Sequence, residues 1–216
     1  MSRRAKICYW CGAPATSVEH APPRNLFPTS EDLHPITVPS CKAHNEDYHL
    51  LDERFRVYLQ GCSGSEIAAK LFGDKTLRGL THKKGLISSI SAASVPAIFE
   101  GEQTHAISIS AGDHDSYFEK VARALYYHHY HEPFPGTVRA ACSHFHLAKL
   151  DFRKLILLYH SVSPSLVHGQ SAHPDIFHHE VGRVVDEAGI GMFVRMTFYC
   201  DITVFALGTP AASEAK

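Results

Sequence analysis

The most regular signal in the chain lies near its C-terminal end, where apolar residues recur with a period of two. Ile190, Met192, Val194, Met196 and Phe198 alternate strictly, and Ile202, Val204 and Ala206 alternate again after a turn at Cys200-Asp201. A third run, Ile176 to Val185, is closed by Asp186-Glu187-Ala188-Gly189. Successive side chains of a strand point to opposite faces, so these runs predict an antiparallel meander of three strands. Upstream the period lengthens to that of a helix. Phe118, Val121, Ala122, Leu125 and His129 share one face of a helix expected from Asp115 to about His131, with Pro133 beyond its end. A further helix is expected over Leu150 to Tyr159, and Thr104 to Ser110 alternates like a short strand. Between about residues 65 and 95 the pattern predicts two helices, capped at Ser65 and Asp74 and separated by Gly73.

The first sixty residues read differently. Prolines at 14, 22, 23, 28, 35 and 39 bar a long helix from the front half and leave short extended pieces at Ser17–His20 and Ile36–Val38. The back half, Cys41 to Leu59, has Ser40 at the N-cap position, Tyr48, Leu51, Phe55 and Tyr58 at helical spacing, and Gly61 just past the end. The turn signal Gly61-Cys62-Ser63-Gly64 closes this region. The expected architecture is α+β, with a module over residues 1–62 followed by helices and antiparallel strands over 63–216.

Composition narrows the class. A hydrophobic content of 44% and a charged content of 20% are ordinary for a soluble globular chain. No apolar run approaches the roughly 18 to 20 residues that span a bilayer, and no signal-peptide stretch follows the basic N-terminus. A cytoplasmic protein without a membrane partner is therefore expected. The formal charge of −1 weighs against a large non-specific DNA-binding surface. The most basic stretch is 70–84, where Lys70, Lys75, Arg78, Lys83 and Lys84 face only Asp74.

The six cysteines and 17 histidines carry the chemistry. Cys8-x-x-Cys11 and Cys41-x-x-His44 are two chelating pairs, and a two-residue gap lets both side chains of a pair reach one ion from a tight turn. Together they make a closed four-ligand zinc site of the structural kind. His49 and His34 are alternative fourth ligands; ordinary buried thiols are the bland alternative. The remaining histidine groups, His128-His129-x-His131, His144-x-His146 and His178-His179, split between faces and are read as structural. Tyr126, Tyr127 and Tyr130, with Lys120 and Arg123, read as core ahead of a base-stacking surface.

Between the chelating pairs lies Val18-Glu19-His20-Ala21-Pro22-Pro23-Arg24. A C-x-x-C, an acidic residue followed by His with Pro nearby, and then Cys41-x-x-His44-Asn45 at a helix start resemble the zinc-bearing HNH, or ββα-metal, endonucleases. The resemblance covers about residues 7 to 60. It implies a hairpin pinned to a helix by structural zinc, with Glu19 and Asn45 binding a catalytic divalent ion and His20 acting as general base. The family more often has Asp where Glu19 stands and Cys where His44 stands. Oxygen ligands suit Mg2+ or Mn2+, and an imidazole with a pKa near 6.5 can take a proton from water at neutral pH. His49 shares Asn45's helix face and is either a third ligand or an exposed polar residue. Arg24 and Arg56 are read as phosphate contacts or solvated charges, and Asp52-Glu53 as structural partners of nearby arginines.

The expected function is metal-dependent hydrolysis of phosphodiester bonds in nucleic acid, DNA more than RNA, giving 5′-phosphate and 3′-hydroxyl ends. By analogy the setting is that of stand-alone nucleases in bacterial defence or mobile elements. The other expectations are a catalytically silent zinc-stabilised module that binds nucleic acid or protein, and a nuclease active only within an assembly. The C-terminal region would serve substrate positioning, a partner protein or homo-oligomerisation.

Overall fold

A chain that proline keeps from coiling has to satisfy its backbone across strands, and the N-terminal region does so with a hairpin. In the computed structural model, residues 6–29, 33–99, 101–145, 151–185 and 191–210 are described. Ser17–His20 (β1) pairs antiparallel with Thr37–Ser40 (β2), setting Glu19 opposite Val38 and His20 opposite Thr37. Ahead of β1 the chain makes a tight knuckle in which the Cys8 N–H donates to Ala13 O at 2.7 Å and the Gly12 N–H donates to Cys8 O at 3.0 Å. Gly12 sits at φ +71°, a region that glycine adopts without steric cost. The Tyr9 N–H donates to Pro39 O at 2.8 Å and ties the knuckle to β2.

The helix expected from Cys41 starts later. Lys42–His44 and Glu46–Tyr48 are successive 3-10 turns, and the α-helix α1 spans His49–Cys62, with Gly61 inside its last turn. Asn45, at φ −136° and ψ −72°, interrupts the helical path between the two turns. Ser40 is therefore no N-cap; its hydroxyl is buried and donates to Cys41 O. The tighter turns bring Cys41 and His44 onto the same side, against the knuckle.

Ser65 does cap α2 (Glu66–Leu71), accepting from the Ala68 N–H at 3.3 Å. Gly73 and Asp74, expected to separate and cap two helices, lie instead inside a π turn over Phe72–Thr76 that runs on into α3 (Leu77–His82) and α4 (Lys84–Ala93). The wider turn sets the fully buried Thr76 against Gln60 of α1, to which its hydroxyl donates at 2.5 Å. The short strand expected from Thr104 is half of a separate hairpin, β3 (Ser94–Phe99) with β4 (Glu102–Ile107). Its first strand carries Pro96 and no alternation, so the periodicity missed it.

The helix α5 spans Ala111–Tyr130 and begins earlier than Asp115 because Ser110 caps it, accepting from the Asp113 N–H at 3.0 Å. After β5 (Gly136–Cys142) come α6 (Phe152–Val162, capped by Asp151), β6 (Val167–Gly169), β7 (Phe177–Gly182), β8 (Met192–Phe198) and β9 (Ile202–Pro210). The expected helix start at Leu150 and the residues Asp186 to Ile190 lie outside the described residues. The sheet has five strands in the order β5-β9-β8-β7-β6, all antiparallel. The expected meander is its centre; β5 and β6 are the edges it lacked.

Both faces of the sheet are covered, so its central strands are apolar on both sides. Met192, Val194, Met196 and Phe198 join α5, α1 and the hairpin in one buried cluster that runs from Cys8 to Ala206. Phe193 and Phe205 face the other way and pack with Leu155 under α6. Tyr199 fastens the two ends of the chain: its hydroxyl accepts from Gln60 Nε2 at 3.0 Å and donates to Leu26 O at 3.1 Å. Among the described residues no helix is long and apolar enough to cross a membrane.

Candidate metal centre and acid cluster

The knuckle and the first 3-10 turn deliver four soft donors to one point. The ligand atoms of Cys8, Cys11, Cys41 and His44 all lie within 4.8 Å of one another. Cys41 Sγ is 3.2 Å and Cys8 Sγ is 3.7 Å from His44 Nδ1, and Cys11 Sγ is 3.9 Å from Cys41 Sγ. A zinc ion with bonds of about 2.3 Å to sulfur and about 2.0 Å to nitrogen sets tetrahedral sulfurs about 3.8 Å apart and sulfur and nitrogen about 3.5 Å apart. The donor set and its spacing fit a structural zinc ion. Burial pushes the Cys8 thiol up, but hydrogen bonds from the backbone at Cys11, Trp10 and Cys41 outweigh it and hold the thiol below its usual range, toward the thiolate that a metal needs. His34 and His49 are not in the cluster, so His44 is its nitrogen donor.

The cluster is braced from α5. Trp10 stacks on the His44 ring, with centroids 4.7 Å apart and planes 17° from parallel. The Arg123 guanidinium lies 4.9 Å from the Trp10 ring centroid and donates to Glu119 and to the Phe134 and Gly136 carbonyls. Burial and this arginine keep the His44 imidazole below its usual pKa, favouring the neutral ligand form.

The residues that the resemblance assigns to a catalytic ion are placed differently. Glu19 is 3% exposed and points into the core. Its Oε1 accepts from the His20 N–H at 2.8 Å, and its Oε2 lies 3.4 Å from Lys120 Nζ of α5. The same ammonium donates to both oxygens of Asp52 at 2.7 Å. Asn45 faces elsewhere along β1, its amide nitrogen donating to Ser17 Oγ at 3.0 Å and Val18 O at 3.1 Å. That pair of bonds anchors the irregular turn to the hairpin. Burial pushes the Glu19 carboxyl up to about 7, with Lys120 opposing and Asp52 reinforcing the shift. Burial likewise raises Asp52, against the pull of Lys120 and of His49, which is itself exposed one turn earlier on α1.

His20 ends β1 half-buried. Burial, Arg24 and Lys120 all lower its pKa, so the imidazole is neutral at neutral pH and able to accept a proton. Arg24 is exposed. Arg56 is not: it is 5% exposed and donates to Glu53 Oε2 at 3.0 Å, and Lys83 sits 2.9 Å from the same oxygen. Arg56 is thus a structural partner of Glu53, the role the sequence had assigned to that carboxylate, and not an open phosphate contact. Lys75 reaches back across the module and donates to Phe27 O at 2.6 Å.

Two members of the acid cluster escaped the sequence reading. Asp52 was grouped with Glu53, although the two point to different cations. Lys120 carried a legible signal, a lysine set within the apolar helix face of Tyr117, Phe118, Val121 and Ala122, where a charge needs a buried partner. Of the other histidines, His129 and His179 meet at 3.0 Å between their Nε2 atoms, with His179 buried and its pKa pushed down to about 3 by burial and by His129. His178 turns to the opposite face, and His146 lies outside the described residues. Tyr126 is buried, and its hydroxyl accepts from Arg183 Nε at 2.9 Å. No family model, curated protein or solved structure matches the chain.

Proposed function

We propose that the N-terminal hairpin and helix form an HNH-type nuclease module that hydrolyses phosphodiester bonds in nucleic acid, DNA in preference to RNA. The observation that carries this reading is His20, a neutral half-buried imidazole fixed on the hairpin by Glu19 and flanked by the exposed Arg24. In this reaction His20 takes a proton from water as the water oxygen bonds to phosphorus. The P–O3′ bond breaks, and the 3′ oxygen leaves and is protonated from solvent. Arg24 offsets charge on the phosphate. The structural zinc holds the knuckle against the helix start and takes no part in the chemistry. The resemblance would add Mg2+ or Mn2+ to polarise the phosphate, but Glu19 and Asn45 are already engaged, and no step is routed through that ion.

A second reading, a binding module without catalysis, is favoured by the closure of the Glu19–Asp52 pair around Lys120. Cleavage of plasmid by the zinc-loaded chain distinguishes the two. The nuclease reading expects His20→Ala to lower the rate roughly 100- to 10,000-fold with zinc content unchanged. Equal rates for wild type and variant, or no cleavage by the wild type on DNA or RNA with or without divalent ions, would reject it.

A further inference from the structure

A buried ammonium held by two carboxylates occupies the kind of position that a divalent cation occupies in a metallohydrolase. The Lys120 side chain is fully buried, 2.7 Å from both Asp52 oxygens and 3.4 Å from Glu19 Oε2. Glu19 Oε2 has no hydrogen-bond partner, so this ion contact is what offsets its charge. A divalent ion would need carboxylate oxygens at about 2.0 to 2.1 Å for Mg2+, within the space that Nζ fills. Two cations a few ångströms apart in a buried site repel strongly. The residues therefore do not fit the divalent ion that the resemblance implies.

We propose that Lys120 is the cation of this module: its ammonium, supplied by α5, takes the place of a catalytic divalent ion between Glu19 and Asp52. The inference rests on the nuclease-type reading for its place in a reaction, but the binding claim stands apart from it. Lys120 is a positioning residue. It is sealed from solvent and holds Glu19, and Glu19 in turn holds the backbone of His20. Cleavage by such a site draws its phosphate-neutralising charge from exposed basic side chains, and divalent ions do not accelerate it.

The geometry also says what removing the lysine does. Glu19 and Asp52 would then face each other with no cation, two hard oxygen donors sharing one vacated volume. That is an arrangement that favours a divalent ion. Lysine and metal are mutually exclusive occupants, and one substitution converts the site from the first to the second.

The test is a Mn2+ titration of the zinc-loaded full chain, following the free-ion signal by electron paramagnetic resonance. The wild type is expected to show no saturable binding, and Lys120→Met to bind one Mn2+ per chain, with that binding lost in Lys120→Met combined with Asp52→Asn. Lys120→Arg, which keeps a buried cation, is expected to behave as wild type. Saturable Mn2+ binding by the wild type that disappears in Asp52→Asn overturns the proposal, as does a folded Lys120→Met chain that takes up no Mn2+. Should Lys120→Met fail to fold, judged by lost zinc and circular dichroism, the wild-type titration decides alone: no saturable binding supports the proposal, and binding that depends on Asp52 overturns it. Absence of cleavage would sink the nuclease reading and leave these binding outcomes untouched.

Discussion

Replacing Glu19 with glutamine should change how stability depends on pH, and the direction follows from the burial of the carboxyl. Glu19 sits at about 7 in the folded protein against 4.5 for the free side chain, with burial as the main cause. A raised acid pKa means that the folded state holds the proton more tightly than the unfolded state. The stability this confers is fully present below about pH 4.5 and is lost as pH rises through about 7. At about 1.4 kcal/mol per pH unit, the loss between those limits is about 3 kcal/mol. Glutamine keeps the shape and cannot ionise. Zinc at the Cys/His cluster would act in the opposite sense, because its ligands bind better as they deprotonate, but that contribution is common to both proteins and cancels in the difference. Urea unfolding of wild type and Glu19→Gln at matched zinc, between about pH 5.5 and 8.5, should show the variant gaining on the wild type by about 2 kcal/mol, with most of the change below about pH 7.5. A difference that stays flat across that range would refute the placement of Glu19 in a low-dielectric interior.

Other substitutions probe the rest of the frame. Cys41→Ser should release zinc and unfold the knuckle and first turns, since structural zinc sites contribute roughly 10 to 16 kcal/mol; unchanged metal content by atomic absorption would reject the tetrahedral set. Tyr199→Phe removes the bridge between Gln60 and the Leu26 carbonyl and should lower stability by about 1 to 3 kcal/mol in thermal unfolding; an unchanged melting temperature would show the bridge is not needed. Gly169→Ala places a Cβ 2.0 Å from the His179 ring and should cost about 1 to 3 kcal/mol, again read by thermal unfolding, where no loss would mean that β6 moves aside freely.

What the sequence shows of this fold follows from how local each feature is. The chelating pairs were legible because a two-residue gap determines reach on its own, and Cys8, Cys11, Cys41 and His44 do come together. The hairpin and the central strands were legible because proline and strict alternation act over a few residues. The start of α1 was not, because Asn45 bends the chain through side-chain bonds to Ser17 and Val18, residues that no local pattern connects to it. The edge strand β5 was missed because its pairing with β9 is the main mark it bears; Val138 and Ala140 to Cys142 give no alternation. In the acid cluster, Glu19 is read from the sequence as a ligand of a divalent ion, and its carboxylate faces a buried ammonium. The partner, Lys120, belongs to an element read as part of a separate region.

Lys120 and Asp52 are 68 positions apart in the chain, and this separation imposes an order on biosynthesis. All four residues of the candidate zinc site precede α1 and can come together once residue 44 has left the ribosome. Glu19 emerges before Cys41 and Asp52 shortly after His44, and both carboxylates stand solvated and without Lys120 until α5 has been made. A nascent chain would therefore complete its Cys/His cluster early and close its charge cluster late. A truncated product ending before α5 would be a zinc-bound fragment with an open pair of carboxylates, chemically distinct from the finished protein.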